Sequence, residues 1–448
     1  MTLIARLGEN FSSASRKGAV STIANAIASA LDLVSFALVA RILSPENLGI
    51  FLIALSVGTM VERLGSPNFA QTFMRHAVRA IEMRRADDLR RILDIAVLFE
   101  LGLLTFGLAS GLVTAVLVVP SGEHAIFTAV VLTVMLTALR PPLLAVAIPR
   151  AFGHHEAVGG WLMLGAMVKV AILALVMTKG GGMIAIAIAF VIWRLISAIG
   201  GLAITFRQAR RQGALSVKRS DPISFAEWHE DFWPLTRASA ITVLPQAVFE
   251  FSTPLIGALS GVTNAGLFRL STKVSEAARI YTNPVAFVVY SEQCAAVERG
   301  DLCRFRSQTV RWSLIVGAVT GLGAILFAVA GDFFVDRIFG EGYQAAVPAI
   351  TWCVVAAVPY SMSTLLQFGL FALAAANQVF RAESVAAILF LAIILALRTP
   401  SPEQAAIALA ISRTVGLAAY AALFVKALGK RMGAVEGERS QISALDEP

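Results

Sequence analysis

Residues 245–284 read PQAVFEFSTPLIGALSGVTNAGLFRLSTKVSEAARIYTNP. They have the pattern of two membrane-spanning helices joined by a tight turn, yet they carry Glu250, Arg269, Lys273, Glu276 and Arg279. A charged side chain at the bilayer centre costs about 2.5–3.5 kcal/mol even on the most lenient scale, so such residues persist where they face a polar interior. Arg269, Lys273 and Glu276 recur at i, i+4 and i+7, a single stripe on a helix. The stripe is expected to line a cavity, with the rest of the chain forming the wall around it.

Composition sets the class of that wall. The chain has 448 residues, 57% hydrophobic and 15% charged, with a mean hydropathy of +0.75, far more apolar than soluble domains. It reads as an all-α polytopic membrane protein. A net charge of +8 raises the question of nucleic acid, but without aromatic residues interleaved on a soluble basic face no nucleic-acid partner is expected. In a membrane protein an Arg/Lys excess in short loops sets orientation instead. Cys294, Cys303 and Cys353 form no CxxC pair, which supports neither a disulfide framework nor a zinc site. Near the N-terminus, Ala28-Ser29-Ala30 mimics a signal-peptide cleavage site. The apolar run there continues from Val20 to Ile42, the length of a span, and is read as a retained first helix.

With about 20 apolar residues needed per span, about twelve can be marked. They are 19–42, 47–65, 92–119, 124–148, 157–178, 183–206, 233–258, 262–290, 309–330, 344–370, 383–398 and 403–426. Outside them lie 66–91, which mixes apolar residues with arginines and is expected along the cytoplasmic interface, then 207–232, 291–308 and a polar tail from Ala427 expected to be disordered. Basic residues gather in these segments, from Arg75 to Arg91, Arg207 to Arg219, Arg299 to Arg311 and Lys426 to Arg439. The alternate loops hold only Lys179, Arg337 and Arg398, which predicts cytoplasmic termini.

The cations left within spans are Arg41, Arg63, Lys169, Arg194, Arg237, Arg269, Lys273, Arg279 and Arg413. Some near helix ends can snorkel to an interface. Leaving all of them in lipid, at about 3 kcal/mol each, would cost on the order of 27 kcal/mol. The acids within spans are fewer, namely Asp32, Glu62, Glu100, Glu250 and Glu276, of which Asp32, Glu62, Glu250 and Glu276 are read as charge partners or coupling groups. The interior is therefore expected to be net positive and suited to an anionic passenger. Pro141, Pro142, Pro149, Pro245, Pro254 and Pro284 interrupt span hydrogen bonding, as happens where helices line a cavity or bend.

Asn47-Leu48-Gly49-Ile50-Phe51, between the first two spans, recurs as Asn264-Ala265-Gly266-Leu267-Phe268 between the seventh and eighth. This predicts two parallel six-helix lobes, 1–206 and 233–426, with a cytoplasmic linker at 207–232, a tail at 427–448 and the passenger between the lobes.

These features carry a resemblance. AxxLSPENLGIF from Ala40, the Glu62-Arg63-Leu64-Gly65 ending of the second span, NAGLFRLSTKV from Asn264 and FGEGYQAAVPAI from Phe339 resemble the Wzx-like polysaccharide-transporter branch of the MOP (multidrug/oligosaccharidyl-lipid/polysaccharide) exporter superfamily. The likeness extends to about residue 426. It implies a flippase that carries an undecaprenyl-diphosphate-linked oligosaccharide across the bacterial inner membrane for surface polysaccharide such as O-antigen or exopolysaccharide. It also implies membrane lipids and a glycan polymerase as partners. In related lipid II flippases, cations on the first, second and eighth helices line the central cavity. By position, Arg63 and either Arg269 or Lys273 are the implied counterparts, while the first span offers Asp32 instead of a cation. Arg237, Lys169, Arg194 and Arg413 complete the expected cavity set. The blander reading is that Lys273 simply pairs with Glu276 and Arg63 snorkels.

Other classes fit less well. A membrane glycosyltransferase or polymerase calls for paired carboxylates or metal ligands in a sizeable loop. Asp87-Asp88 reads as a solvated face, and His154-His155-Glu156 lacks HExxH spacing. No GxxxxGK[ST] loop is present, and Gly180–Gly182 reads as a short turn. No cofactor or metal is expected. A drug or organic-cation antiporter of the same superfamily is the runner-up, and it favours acidic cavity residues. A non-transporting scaffold leaves the buried charge unexplained.

Overall fold

A backbone in hydrocarbon must satisfy its own N–H and C=O groups, which a helix does within one segment. In the computed structural model every described element is helical. The structure describes residues 23–24, 27–65, 73, 77, 80–81, 84–118, 143–152, 154–216, 233–373 and 375–445. Among these, six helices are long and apolar enough to cross a membrane: Ala157–Thr178, Met183–Arg211, Leu302–Phe339, Glu341–Ala372, Ala376–Leu397 and Pro402–Gly433. Their outer faces expose Leu314, Leu322, Ile325, Val329 and Phe333, among others. A soluble monomer rarely displays so continuous an apolar surface. The protein is a multi-pass membrane protein.

The chain divides into two compact units, Met1–Val243 and Leu244–Pro448. In the first, α1 (27–42) turns at Ser44 into α2 (Pro45–Gly65), with proline at the first helical position, where its missing N–H is harmless. Then come α3 (Ala86–Val118), a π-helical turn at Leu143–Ala147 running into the short α4 (Ile148–Ala151), α5 (His155–Thr178) and α6 (Met183–Arg211). The π-turn has a local cause: the Leu144 N–H donates to Glu100 on α3 at 3.2 Å, and the Leu144 carbonyl accepts from Thr205 on α6. Side chains from two helices thus satisfy both backbone groups of one residue that leaves the α-helical register. The described residues of 66–91 contribute Phe73, Ala77 and Ala80 to a buried cluster with Leu89, Leu93 and Ile148.

The second unit contains most of α7 (Trp233–Ser260), then α8 (Val262–Ala278), α9 (Thr282–Glu298), α10 (Leu302–Phe339), a 3₁₀ turn at Glu341–Ala346, α11 (Val347–Ala372), α12 (Ala376–Leu397) and α13 (Pro402–Leu445). Helix α11 is the hub and packs against α8, α9, α10, α12 and α13. Small residues allow close approach, as expected without a hydrophobic drive in lipid. A Cβ at Gly317 would lie 2.6 Å from Met362, and one at Gly416 would lie 2.9 Å from Ala386. The α7–α8 turn uses Gly261 at φ +91°, a left-handed conformation that disfavours a side chain.

Several expectations are corrected. The span at 262–290 is two helices that break at Arg279–Tyr281, because Pro284 supplies no N–H and its ring excludes the carbonyl of Ile280, four residues back. The segment 291–308 is helical apart from a turn at Gly300 (φ +70°), where Asp301 caps α10 by accepting the Arg304 N–H at 3.0 Å. The eleventh span starts at Ala376 rather than 383. The tail from Ala427 continues α13 to Leu445; no proline intervenes, and Glu, Arg, Lys and Gln are good helix formers, so polarity alone did not imply disorder. Residues 124–142 of the expected fourth span (124–148) and 217–232 of the expected linker (207–232) lie outside the described residues.

Candidate functional site

The turn at Gly261 folds α7 and α8 into a hairpin that brings Glu250 against Arg269. The two are 19 residues apart in sequence, and Nη2 of Arg269 donates to Oε2 of Glu250 at 3.0 Å. Arg269 is 4% exposed and Glu250 7%. A lone buried charge at either position would be expensive, and each is tolerated because the other is there. Arg269 also reaches Glu276 at 4.0 Å, and Glu276 accepts from Lys273 Nζ at 2.6 Å. Lys273 and Glu276 side chains are about one-third accessible, so the stripe read from the sequence runs from a buried pair to an open pair. Nε of Arg269 is buried without a hydrogen-bond partner.

A second polar group lies across α12 and α13. Nη1 of Arg413 donates to Oε1 of Glu383 at 2.7 Å, and the Tyr420 hydroxyl donates to the other oxygen at 3.2 Å. The Arg413 guanidinium stands 3.6 Å from the Phe249 ring centroid and 4.6 Å from that of Tyr360 on α11. Arg279, at the break after α8, stands 4.0 Å from the same Tyr360 ring. Tyr360 therefore links the two groups, since an aromatic face attracts cations through its quadrupole. Among the described residues the two linked groups bring together four cations (Arg269, Lys273, Arg279, Arg413) and three carboxylates (Glu250, Glu276, Glu383).

In the first unit Lys169 on α5 bridges to Asp32 on α1. The ammonium lies 4.4 Å from the Trp193 ring centroid and 5.7 Å from that of Phe190. Arg194 stands 4.4 Å from the Trp193 ring as well. The Asp32 side chain is 57% exposed and that of Lys169 only 7%. The expected cations are thus largely neutralised, and the first-unit site is a pair rather than a free positive charge. The side chains of Arg63, Glu62 and Arg237 lie outside the described residues.

Sequence reading missed Glu383, Tyr360 and Tyr420. Glu383 stood at the margin of an assumed span, and the signal that could have found it is Arg413: a cation deep in an apolar helix implies a carboxylate on a neighbour. The motif repeat adds a contrast. Helix α2 begins at Pro45 and α8 at Val262, the same offset as between Asn47 and Asn264. In that register Arg269 and Lys273 correspond to Leu52 and Ser56, both buried. One copy of the hairpin folds without the charges, so helix packing alone does not require them in the other. No metal-binding group of His, Cys, Asp and Glu occurs among the described residues.

No protein-family model matches the sequence, and no curated protein matches it. Solved structures do. The chain is similar to an inward-facing multidrug resistance MATE family transporter of the MOP superfamily, with a TM-score of 0.71 and 13% identity over 92% of this chain and 96% of that one. It is similar to an outward-facing transporter of the same description, with a TM-score of 0.62 and 13% identity over 95% and 97%. A third is a MOP superfamily transporter from Pyrococcus furiosus, described as having a binding pocket of reverse polarity that suggests a different function; the TM-score is 0.65 with 13% identity over 94% and 97%. The chain has the MATE-like fold of MOP superfamily transporters.

Proposed function

We propose that the protein is a flippase that moves an undecaprenyl-diphosphate-linked oligosaccharide from the inner to the outer leaflet of the bacterial inner membrane, by alternating access of two lobes, 1–206 and 233–426. Both termini are assigned to the cytoplasm, and the chain is assigned no enzymatic activity and no nucleic-acid partner. One observation carries the choice of an anionic cargo over an organic cation. Among the described residues Asp32, Glu250, Glu276 and Glu383 are each bridged to a Lys or Arg, and the second-unit network keeps a surplus cation. A cation antiporter needs a carboxylate free to trade its proton or sodium for the drug, whereas a diphosphate needs donors, and Arg and Lys offer strong charge-assisted ones. The polyprenyl tail can stay in lipid while the head group follows the polar path. The contrast between Lys273 and Ser56 supports the same reading, because the corresponding helix packs without a cation at that position. A glycan polymerase fits as a working partner, since an outer-leaflet product is its substrate.

Deleting the gene in its host is the direct test. Surface glycan is expected to disappear and its lipid-linked precursor to accumulate facing the cytoplasm, with susceptibility to cationic drugs unchanged. Normal surface glycan together with raised sensitivity to cationic dyes would overturn the proposal in favour of a drug antiporter.

A further inference from the structure

One end of the second unit is organised by a buried apolar cluster that includes Val297, Leu302, Phe305, Val379, Phe424 and Leu428. These residues come from the α9–α10 turn, the start of α12 and the late turns of α13. Interleaved with them in sequence, and all exposed, are Arg304, Arg306, Arg381, Lys426, Lys430 and Arg431. Because the buried residues meet in one cluster, the basic side chains surround it as a collar. Among the described residues the nearby acids Asp301, Glu292 and Glu383 have other partners: Asp301 caps α10, Glu292 accepts from Gln308 at 3.1 Å, and Glu383 holds Arg413. None of the six cations is in an ion pair among the described residues.

The depth of the collar follows from α10. Its exposed apolar residues run from Val310 to Phe334, a rise of roughly 36 Å at 1.5 Å per residue. That is enough to cross a hydrocarbon core about 30 Å thick. Arg306 and Arg311 flank Val310, where this face stops, and Lys426 follows the exposed Val425 on α13. The cations therefore stand at headgroup level, within reach of lipid phosphates. Arginine can grip a phosphate with two parallel donors, and each basic residue near the surface adds attraction to an anionic leaflet.

We propose that this collar is a binding site for anionic phospholipid headgroups, phosphatidylglycerol in particular, that clamps the α9–α10 turn to the start of α12 and the late turns of α13. The site is built from one unit alone and does not depend on the cargo assigned above. It goes beyond the general loop-charge asymmetry because three chain segments converge on one patch, and among the described residues their cations are not in ion pairs.

The test uses the full chain in nanodiscs of phosphatidylglycerol and phosphatidylcholine, with retained lipids counted by native mass spectrometry. Wild type is expected to retain phosphatidylglycerol roughly tenfold over phosphatidylcholine. The preference should fall several-fold between about 0.1 M and 1 M salt, as the Debye length shrinks from about 10 Å to about 3 Å. A variant with Arg304→Gln, Arg306→Gln, Lys430→Gln and Arg431→Gln should lose most of the preference, whereas Arg337→Gln at the other end of α10 should keep it. If the multiple variant fails to insert, the salt series on wild type decides. Equal retention of both lipids by wild type, or a preference untouched by salt or by the four substitutions, overturns the proposal. Displacement of phosphatidylglycerol by equimolar undecaprenyl diphosphate also overturns it, by making the collar part of the cargo path.

Discussion

Arg269 and Glu250 meet at 3.0 Å across the α7–α8 hairpin, both nearly sealed from solvent. The pair holds together two helices whose connection is a single glycine turn, and its strength lies in the cost of separating it. Taking away one partner of a buried ion pair typically destabilises by about 3–5 kcal/mol, because the other is left uncompensated, while replacing both with apolar groups of similar size is often neutral. Arg269→Ala and Glu250→Ala are each expected to lower the unfolding temperature of the purified protein sharply. Arg269→Met combined with Glu250→Leu is expected to restore most of the stability without restoring glycan export. Equal stability of the single and double variants would show that the pair is not coupled.

At the other polar group, Glu383 receives Arg413 on one oxygen and Tyr420 on the other. Tyr420→Phe removes one hydrogen bond to a charged acceptor and is expected to cost about 1.5–3 kcal/mol in unfolding free energy. Glu383→Gln should cost more, since it removes the counter-charge and leaves the Arg413 guanidinium a neutral amide oxygen and the Phe249 and Tyr360 rings. A Glu383→Gln protein as stable as Tyr420→Phe would mean that Arg413 finds another counter-charge.

The aromatic link has its own signature. Tyr360→Phe keeps the ring that faces Arg279 and Arg413 and is expected to behave as wild type. Tyr360→Ala removes two cation–aromatic contacts, worth about 0.5–2 kcal/mol each, and leaves a cavity in α11. A thermal-shift comparison of the two variants separates the ring from the hydroxyl. Loss of stability in Tyr360→Phe would assign the role to the hydroxyl instead.

Much of this architecture was legible from hydropathy and period alone. The spans at 157–178 and 183–206 coincide closely with α5 and α6, and Asn47-Leu48-Gly49 and Asn264-Ala265-Gly266 each fall in the first turn of a helix. The depth of Lys169, Arg269 and Arg413 in apolar segments also marked them as interior. Their partners were harder to read, because pairing is tertiary. Lys169 and Asp32 stand 137 residues apart, and Arg413 and Glu383 stand 30 apart, so no local spacing announces them. A hydropathy window treats each as an isolated penalty and cuts the eleventh span short at Glu383, although two opposite charges that meet inside the bundle do not interrupt a helix. The Lys273–Glu276 pair was visible at i, i+3, and it forms.

Packing in the first unit gives a sharp steric case. Trp161 on α5 lies over Gly200 on α6 and donates from Nε1 to the Ser197 carbonyl at 3.0 Å. A Cβ at Gly200 would stand 1.7 Å from the Trp161 ring, whereas Gly160 has nothing within 4 Å. Gly200→Ala is expected to destabilise by about 1–3 kcal/mol, the usual range for overpacking, and Gly160→Ala to be neutral or mildly stabilising. Thermal unfolding of both proteins checks this, and adding Trp161→Phe to Gly200→Ala should recover part of the loss.

Lys273 separates function from structure best. Its ammonium bonds to Glu276 at 2.6 Å, yet the side chain is 30% accessible, and Glu276 keeps Arg269 within 4.0 Å if Lys273 is removed. Lys273→Gln should therefore fold and insert normally, with a stability loss within about 1 kcal/mol as for partly exposed ion pairs. The network would then change from four cations against three carboxylates to an even balance, with no surplus to attract a diphosphate. Glycan export is expected to fall at least tenfold, equivalent to about 1.4 kcal/mol of lost differential binding. Lys273→Arg, which keeps the charge and the reach, should retain most of the activity. Glu276→Gln should work in the opposite sense: it frees Lys273 from its partner and tightens cargo binding, and turnover slows if release is limiting. The measurement is surface glycan in a complemented deletion strain, normalised to membrane-inserted protein. Wild-type glycan from a well-expressed Lys273→Gln protein would remove the surplus cation from the mechanism and leave the stripe on α8 a structural feature of the hairpin.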